Sequence, residues 1–116
     1  MTTVTIYHNP RCSKSRQTLE LLRVRGIKPR IVLYLETPPD AATLEALLAR
    51  LGMRASELVR TGEPVLADIG LDPRSASDGE LVKAMVAHPI LIERPIVVTT
   101  RGAAIGRPPE RVLEVL

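Results

Sequence analysis

The chain has 116 residues and is 45% hydrophobic, enough for one domain with a core made almost wholly of aliphatic side chains. Its net charge of +3 comes from 16 Lys and Arg against 13 Asp and Glu, spread along the chain without the clustered patch and stacking aromatics of a nucleic-acid surface. A single cysteine excludes an internal disulfide, and no leader-like segment or bilayer-length apolar run of ~20 residues is present, so the expected setting is the cytoplasm, off the membrane.

Thr2-Thr3-Val4-Thr5-Ile6-Tyr7 is β-branched and apolar and predicts a strand over 2–7. Residues 14–25 carry Leu19, Leu21, Leu22 and Val24 before Gly26, which reads as a helix with its stop. Ile31-Val32-Leu33-Tyr34-Leu35 is a continuous apolar run of the kind found in buried parallel strands, and it predicts a strand over 29–35. Strand, helix and strand make a parallel βαβ unit.

Thr37-Pro38-Pro39-Asp40 breaks the chain. Leu44, Leu47, Leu48 and Leu51 stand at helical spacing over 41–51, with Gly52 as the stop. Short helices are expected over 55–60 and 65–69. Ser77 and Glu80 form a capping box that opens a helix ending near His88-Pro89. Ile96-Val97-Val98-Thr99 is a strand, and Thr100-Arg101-Gly102 turns it into a second one over 103–105. Pro109 and Glu110 open a terminal helix through Val112, Leu113 and Val115.

Cys12 lies between the first strand and the first helix, in His8-Asn9-Pro10-Arg11-Cys12-Ser13. A lone cysteine is often a small buried hydrophobe. Here it stands at a helix N-terminus, where unpaired N–H groups and the helix dipole favour an anion. Arg11, Lys14 and Arg16 add cationic charge nearby, and both influences raise the thiolate fraction. That setting favours chemistry over burial. With no second cysteine, the resolving thiol must come from outside. Asn9 can hydrogen-bond the loop backbone. Ser15 can support the thiolate or cap the helix.

A βαβ half, a helical insert and a ββα half is the element order of an α/β thioredoxin-like fold with a mixed sheet. That fold places a redox cysteine at the end of the first strand and keeps a cis-proline facing it. By this analogy the Arg94-Pro95 bond is cis.

Four segments carry a closer resemblance: Ile6 to Arg16 around the cysteine, Tyr34-Leu35-Glu36-Thr37-Pro38-Pro39, His88 to Val98, and Gly106-Arg107-Pro108-Pro109-Glu110. Collinear and spread over most of the chain, they resemble the glutaredoxin-coupled arsenate reductases. The resemblance implies a single catalytic domain over 1–116 in which the Cys12 thiolate attacks arsenate. Glutathione, a co-substrate, then adds to the arsenic, and glutaredoxin resolves that bond to release arsenite. No cofactor is bound. Three arginines hold the oxyanion, and by motif they fall on Arg60, Arg94 and Arg107. His8 is credited in the family with lowering the cysteine pKa, which a protonated imidazole would do. Arginine suits the task because its planar donors stay charged and bind oxyanions bidentately.

The loop departs from the family in one place. Small residues such as Gly-Thr commonly follow the cysteine, whereas this chain has Ser13-Lys14, the Arg-Cys-Ser-Lys-Ser form of a related branch. Two other functions remain open: a general glutathione-dependent thiol oxidoreductase, which would not need three arginines, and an Spx-type redox-responsive regulator, whose usual Cys-x-x-Cys switch is interrupted by Ser15. A low-molecular-weight tyrosine phosphatase is excluded, since the residue six after Cys12 is Thr18 rather than Arg. The two histidines and one cysteine lack metal-ligand spacing, so no metal site is expected.

Overall fold

The structure, a computed structural model, describes residues 3–116. Thr2, included in the first expected strand, lies outside the described residues. The chain forms two compact units: one joins the residues up to Thr37 to Arg94–Leu116, and the other is Pro38–Glu93.

The first unit is built on four strands, β1 (Thr5–His8), β2 (Arg30–Leu33), β3 (Ile96–Thr99) and β4 (Gly102–Ile105). Their order is β2-β1-β3-β4. β1 runs parallel to β2, with His8 opposite Leu33, and antiparallel to β3, with Ile6 opposite Val97. β3 and β4 form an antiparallel hairpin. Helix α1 (Ser13–Val24) links β1 to β2, and a 3₁₀ segment (Pro109–Val115) follows β4. This mixed sheet is the thioredoxin-like arrangement expected from the element order.

Alternation decides which face of β1 is inward. Val4, Ile6 and His8 are buried, while Thr5 and Tyr7 are half-buried. On α1 the buried positions Ser15, Thr18, Leu19 and Leu22 form one helical stripe. Leu19 and Leu22 join Val4, Ile6, Val97, Val112 and Val115 in a continuous core. Burying each such side chain contributes about 1.5–3 kcal/mol.

The second unit is helical: α2 (Ala41–Leu51), α3 (Ala55–Leu58), α4 (Pro64–Asp68), α5 (Asp78–Ala87) and a 3₁₀ turn (Pro89–Leu91). α5 packs against α2, α3 and the 3₁₀ turn. Asp40 caps α2 by accepting from the Thr43 N–H at 2.8 Å, and Gly52 ends it at φ +66°, a left-handed stop suited to glycine. The capping box at Ser77 and Glu80 forms as the sequence implies, with both bonds at 3.1 Å.

Four details differ from the sequence expectations. β2 is an edge strand, not a doubly buried one, and Ile31 and Leu35 are each 40% exposed. It ends at Leu33, whose carbonyl accepts from the N–H groups of Glu36 and Thr37, both at 2.9 Å. The terminal helix is 3₁₀ rather than α, as shown by the Arg111 N–H donating to the Pro108 carbonyl. The helix expected over 55–60 stops at Leu58, because Val59 turns extended and bridges to Ile92. The Arg94-Pro95 bond is cis as the fold analogy implies, and Arg107-Pro108 is cis as well.

Candidate active site

Asn9 shapes the loop that carries the cysteine. It is buried, and its carbonyl accepts from the Cys12 N–H at 3.0 Å. Its side-chain Oδ1 accepts from the Arg11 N–H at 3.0 Å, and its own N–H donates to Ser15 Oγ at 3.0 Å. These bonds fold residues 9–12 into a tight turn and deliver Cys12 as the N-cap of α1, with φ −90° and ψ 122°. The Arg16 guanidinium closes over the turn by donating to the Pro10 carbonyl at 2.8 Å.

Cys12 is half-buried. Burial is the largest influence on its thiol and pushes the pKa up. The Ser15 N–H, the Arg94 side chain and the Lys14 N–H together outweigh it and hold the thiol below its ordinary value. Cys12 forms no tight cap hydrogen bond, so these are the softer contacts of a sulfur acceptor with helix N–H dipoles. Arg11, Lys14 and Arg16 crowd this loop in the sequence. The thiolate is favoured instead by backbone N–H groups and by Arg94, which arrives from the segment just before β3.

His8 and Ser15 sit behind the loop. The Ser15 hydroxyl lies 2.6 Å from His8 Nδ1, and both residues are buried. Since Ser15 Oγ already accepts from Asn9, the assignment that satisfies all three groups has the hydroxyl donating to Nδ1, with the ring proton on Nε2. Burial first, then the charges of Arg23 and Arg16, lower the His8 pKa, so the ring is neutral at pH 7. These influences work against the protonated imidazole that the family resemblance implies. Ser15 likewise supports the sulfur through its N–H, while its hydroxyl is taken by His8 and Asn9.

Arg94 is buried and precedes the cis-proline. Arg107 Nη1 lies 3.8 Å from Cys12 Sγ and donates to the Arg94 carbonyl at 3.3 Å. Gly106 makes this approach possible. Its N–H donates to the Pro95 carbonyl at 3.0 Å. A Cβ there would run into Thr18 Oγ1 and come within 2.8 Å of Pro95 Cγ. The fit of Gly106 against Thr18 is invisible in the sequence, where only the glycine beside Arg107 hints at it.

Within the first unit the structure thus brings Cys12, His8, Ser15, Arg94 and Arg107 together. Arg60 belongs to the second unit, where its Nε donates to Glu63 at 3.1 Å and its Nη1 to Glu93 at 2.6 Å. Among the described residues no group of three His, Cys, Asp or Glu is placed to hold a metal ion, and no helix is long and apolar enough to cross a membrane.

Comparison with known proteins adds to this geometry. A model of the ArsC family matches residues 7–115. The chain is 57% identical to the uncharacterized protein YfgD of Escherichia coli (strain K12), over 97% of this chain and 96% of that one. It is 48% identical to an arsenate reductase of Rhizobium meliloti (strain 1021), over 98% of this chain and 81% of that protein. The solved structure of an arsenate reductase from Vibrio cholerae superposes with a TM-score of 0.95 at 47% identity, covering 99% of this chain and 98% of the other.

Proposed function

Since the chain belongs to the ArsC family, we propose that it reduces arsenate to arsenite, with Cys12 as the nucleophile and glutathione and glutaredoxin as the source of electrons. The observation that carries this reading is the placement of Arg107 3.8 Å from the Cys12 sulfur, beside a thiol whose pKa is held down by Arg94 and helix N–H groups.

In the proposed reaction the Cys12 thiolate attacks arsenic, and an arsenate oxygen leaves as water after protonation. This forms a Cys12–S–As(V) adduct. The glutathione thiol displaces a second oxygen as water. A glutaredoxin thiolate then attacks the glutathione sulfur. The electron pair of the sulfur–arsenic bond passes to arsenic, giving As(III) and a glutaredoxin–glutathione disulfide. Hydrolysis of the Cys12–As(III) bond releases arsenite and restores the thiol. Arg94 and Arg107 bind the oxyanion and hold its charge as the thiolate attacks. By the family resemblance alone Arg60 is proposed as the third oxyanion ligand; within its own unit its Nε and Nη1 donate to Glu63 and Glu93. His8 and Ser15 keep the loop in place. The cytoplasm, where glutathione is reduced, is the compartment this chemistry needs.

Coupled turnover of arsenate with glutathione, glutaredoxin and NADPH-linked glutathione reductase tests the reading. Turnover lost in both Cys12→Ser and Arg94→Ala supports it. No turnover in the parent chain, alongside ready formation of a Cys12–glutathione disulfide, would replace it with a general thiol oxidoreductase.

A further inference from the structure

A groove of about 230 Å³ opens at the carboxyl ends of the parallel strands β1 and β2, wholly within the first unit. Pro10, Leu33 and Leu35 make its apolar walls. His8 lines it and is only 6% exposed. With Nδ1 engaged by Ser15, His8 Nε2 has no hydrogen-bond partner among the described residues, and in the tautomer that satisfies the Ser15 hydroxyl it carries the ring proton. Such an N–H asks for an acceptor.

The two charged residues lining the groove are Arg11 and Glu36. Both are exposed, and neither forms an ion pair with a described residue. Opposite charges that line one small groove without neutralising each other suit a ligand that carries both signs. The volume lies below the roughly 300–1,000 Å³ of sites for drug-sized ligands, so the fit is to an amino-acid-sized end group.

We propose that this groove binds the free amino-acid end of a small peptide thiol, its carboxylate against Arg11 and His8 Nε2–H and its ammonium against Glu36. The inference rests on the thiol-dependent reading above and gives the co-substrate a seat. Arg11 is the residue immediately before Cys12. An extended tripeptide reaches ~10 Å at roughly 3.3–3.6 Å per residue, so a thiol anchored by one end can extend along the loop toward the sulfur. Association on opposite charges at a rim is also sensitive to salt.

The test uses the full chain and S-methylglutathione, which binds without reacting, followed by amide chemical shifts. The expected result is saturable shifts at His8, Leu33 and Glu36, with affinity at least tenfold weaker in Arg11→Glu and in Glu36→Lys and unchanged in Lys83→Glu. The KM for glutathione should rise in the same two variants more than the KM for arsenate. Absence of groove shifts, or affinity in both charge variants equal to that of the parent chain, overturns the proposal. If free glutamate binds as tightly and the KM for glutathione is unmoved, the groove serves a free amino acid and the co-substrate assignment falls. Groove binding in a chain that does not reduce arsenate would sink the arsenate reading and leave the site standing.

Discussion

Ser15 stands between His8 and Cys12, its hydroxyl 2.6 Å from His8 Nδ1 and its N–H favouring the Cys12 thiolate. No charge of His8 is among the influences that lower the Cys12 pKa, and its link to the cysteine loop runs through the Ser15 hydroxyl. Removing the hydroxyl in Ser15→Ala leaves His8 Nδ1 and the Asn9 N–H without their partner in a buried site. The expected cost is about 1–3 kcal/mol, seen as a Tm lower by roughly 5–15 °C. The thiolate absorbance titration should move less than in Arg94→Ala, because the Ser15 N–H remains.

Arg94→Ala removes the side chain that favours the thiolate both by hydrogen bonding and by charge. The Cys12 pKa is expected to rise and arsenate turnover to fall by about 10²–10³-fold, the scale of losing one donor to a developing oxyanion. Absorbance at the thiolate band and coupled turnover check the two effects separately. An unchanged Cys12 pKa would show that Arg94 does not act on the sulfur.

The pH dependence of stability has a definite sign. The folded Cys12 pKa lies below its ordinary value of 9.0. Between the two values the unfolded chain binds more protons, so stability rises with pH across that window and is lost as pH falls through the folded pKa. His8 acts in the same direction at lower pH. Its folded pKa lies below 6.5, and the unfolded chain takes up the proton first as pH drops through that value. Denaturant melts of the parent chain and Cys12→Ser should diverge as pH rises toward 9.0. Parallel curves would contradict the depressed thiol.

Gly106→Ala places a methyl group against Thr18 Oγ1 and Pro95 Cγ. The overpacking should cost about 1–3 kcal/mol and weaken arsenate binding by displacing Arg107. Adding Thr18→Ala opens space at the nearer contact, so the double variant should recover part of the lost Tm. No recovery would show that the pressure comes from the Pro95 side.

The element order, the capping box at Ser77 and the placing of Cys12 at a helix N-terminus were legible in the order of the residues, whereas the Asp40 cap was not singled out there. These depend on local spacing and on the chemistry of neighbouring residues, and a linear chain carries both. What surrounds the sulfur comes from packing between distant segments. Arg94 and Arg107 reach it because β3 lies beside β1 and the β4 exit packs on α1 through Gly106. The edge position of β2 was equally hidden, since a run such as Ile31 to Leu35 reads the same whether a strand has one neighbour or two. His8 is the clearest case. Its type suggests a cation at the active site, yet burial and the charges of Arg23 and Arg16 make it neutral. An ionisation state is fixed by the distances between charges and by lost solvent, and both exist only once the chain has folded.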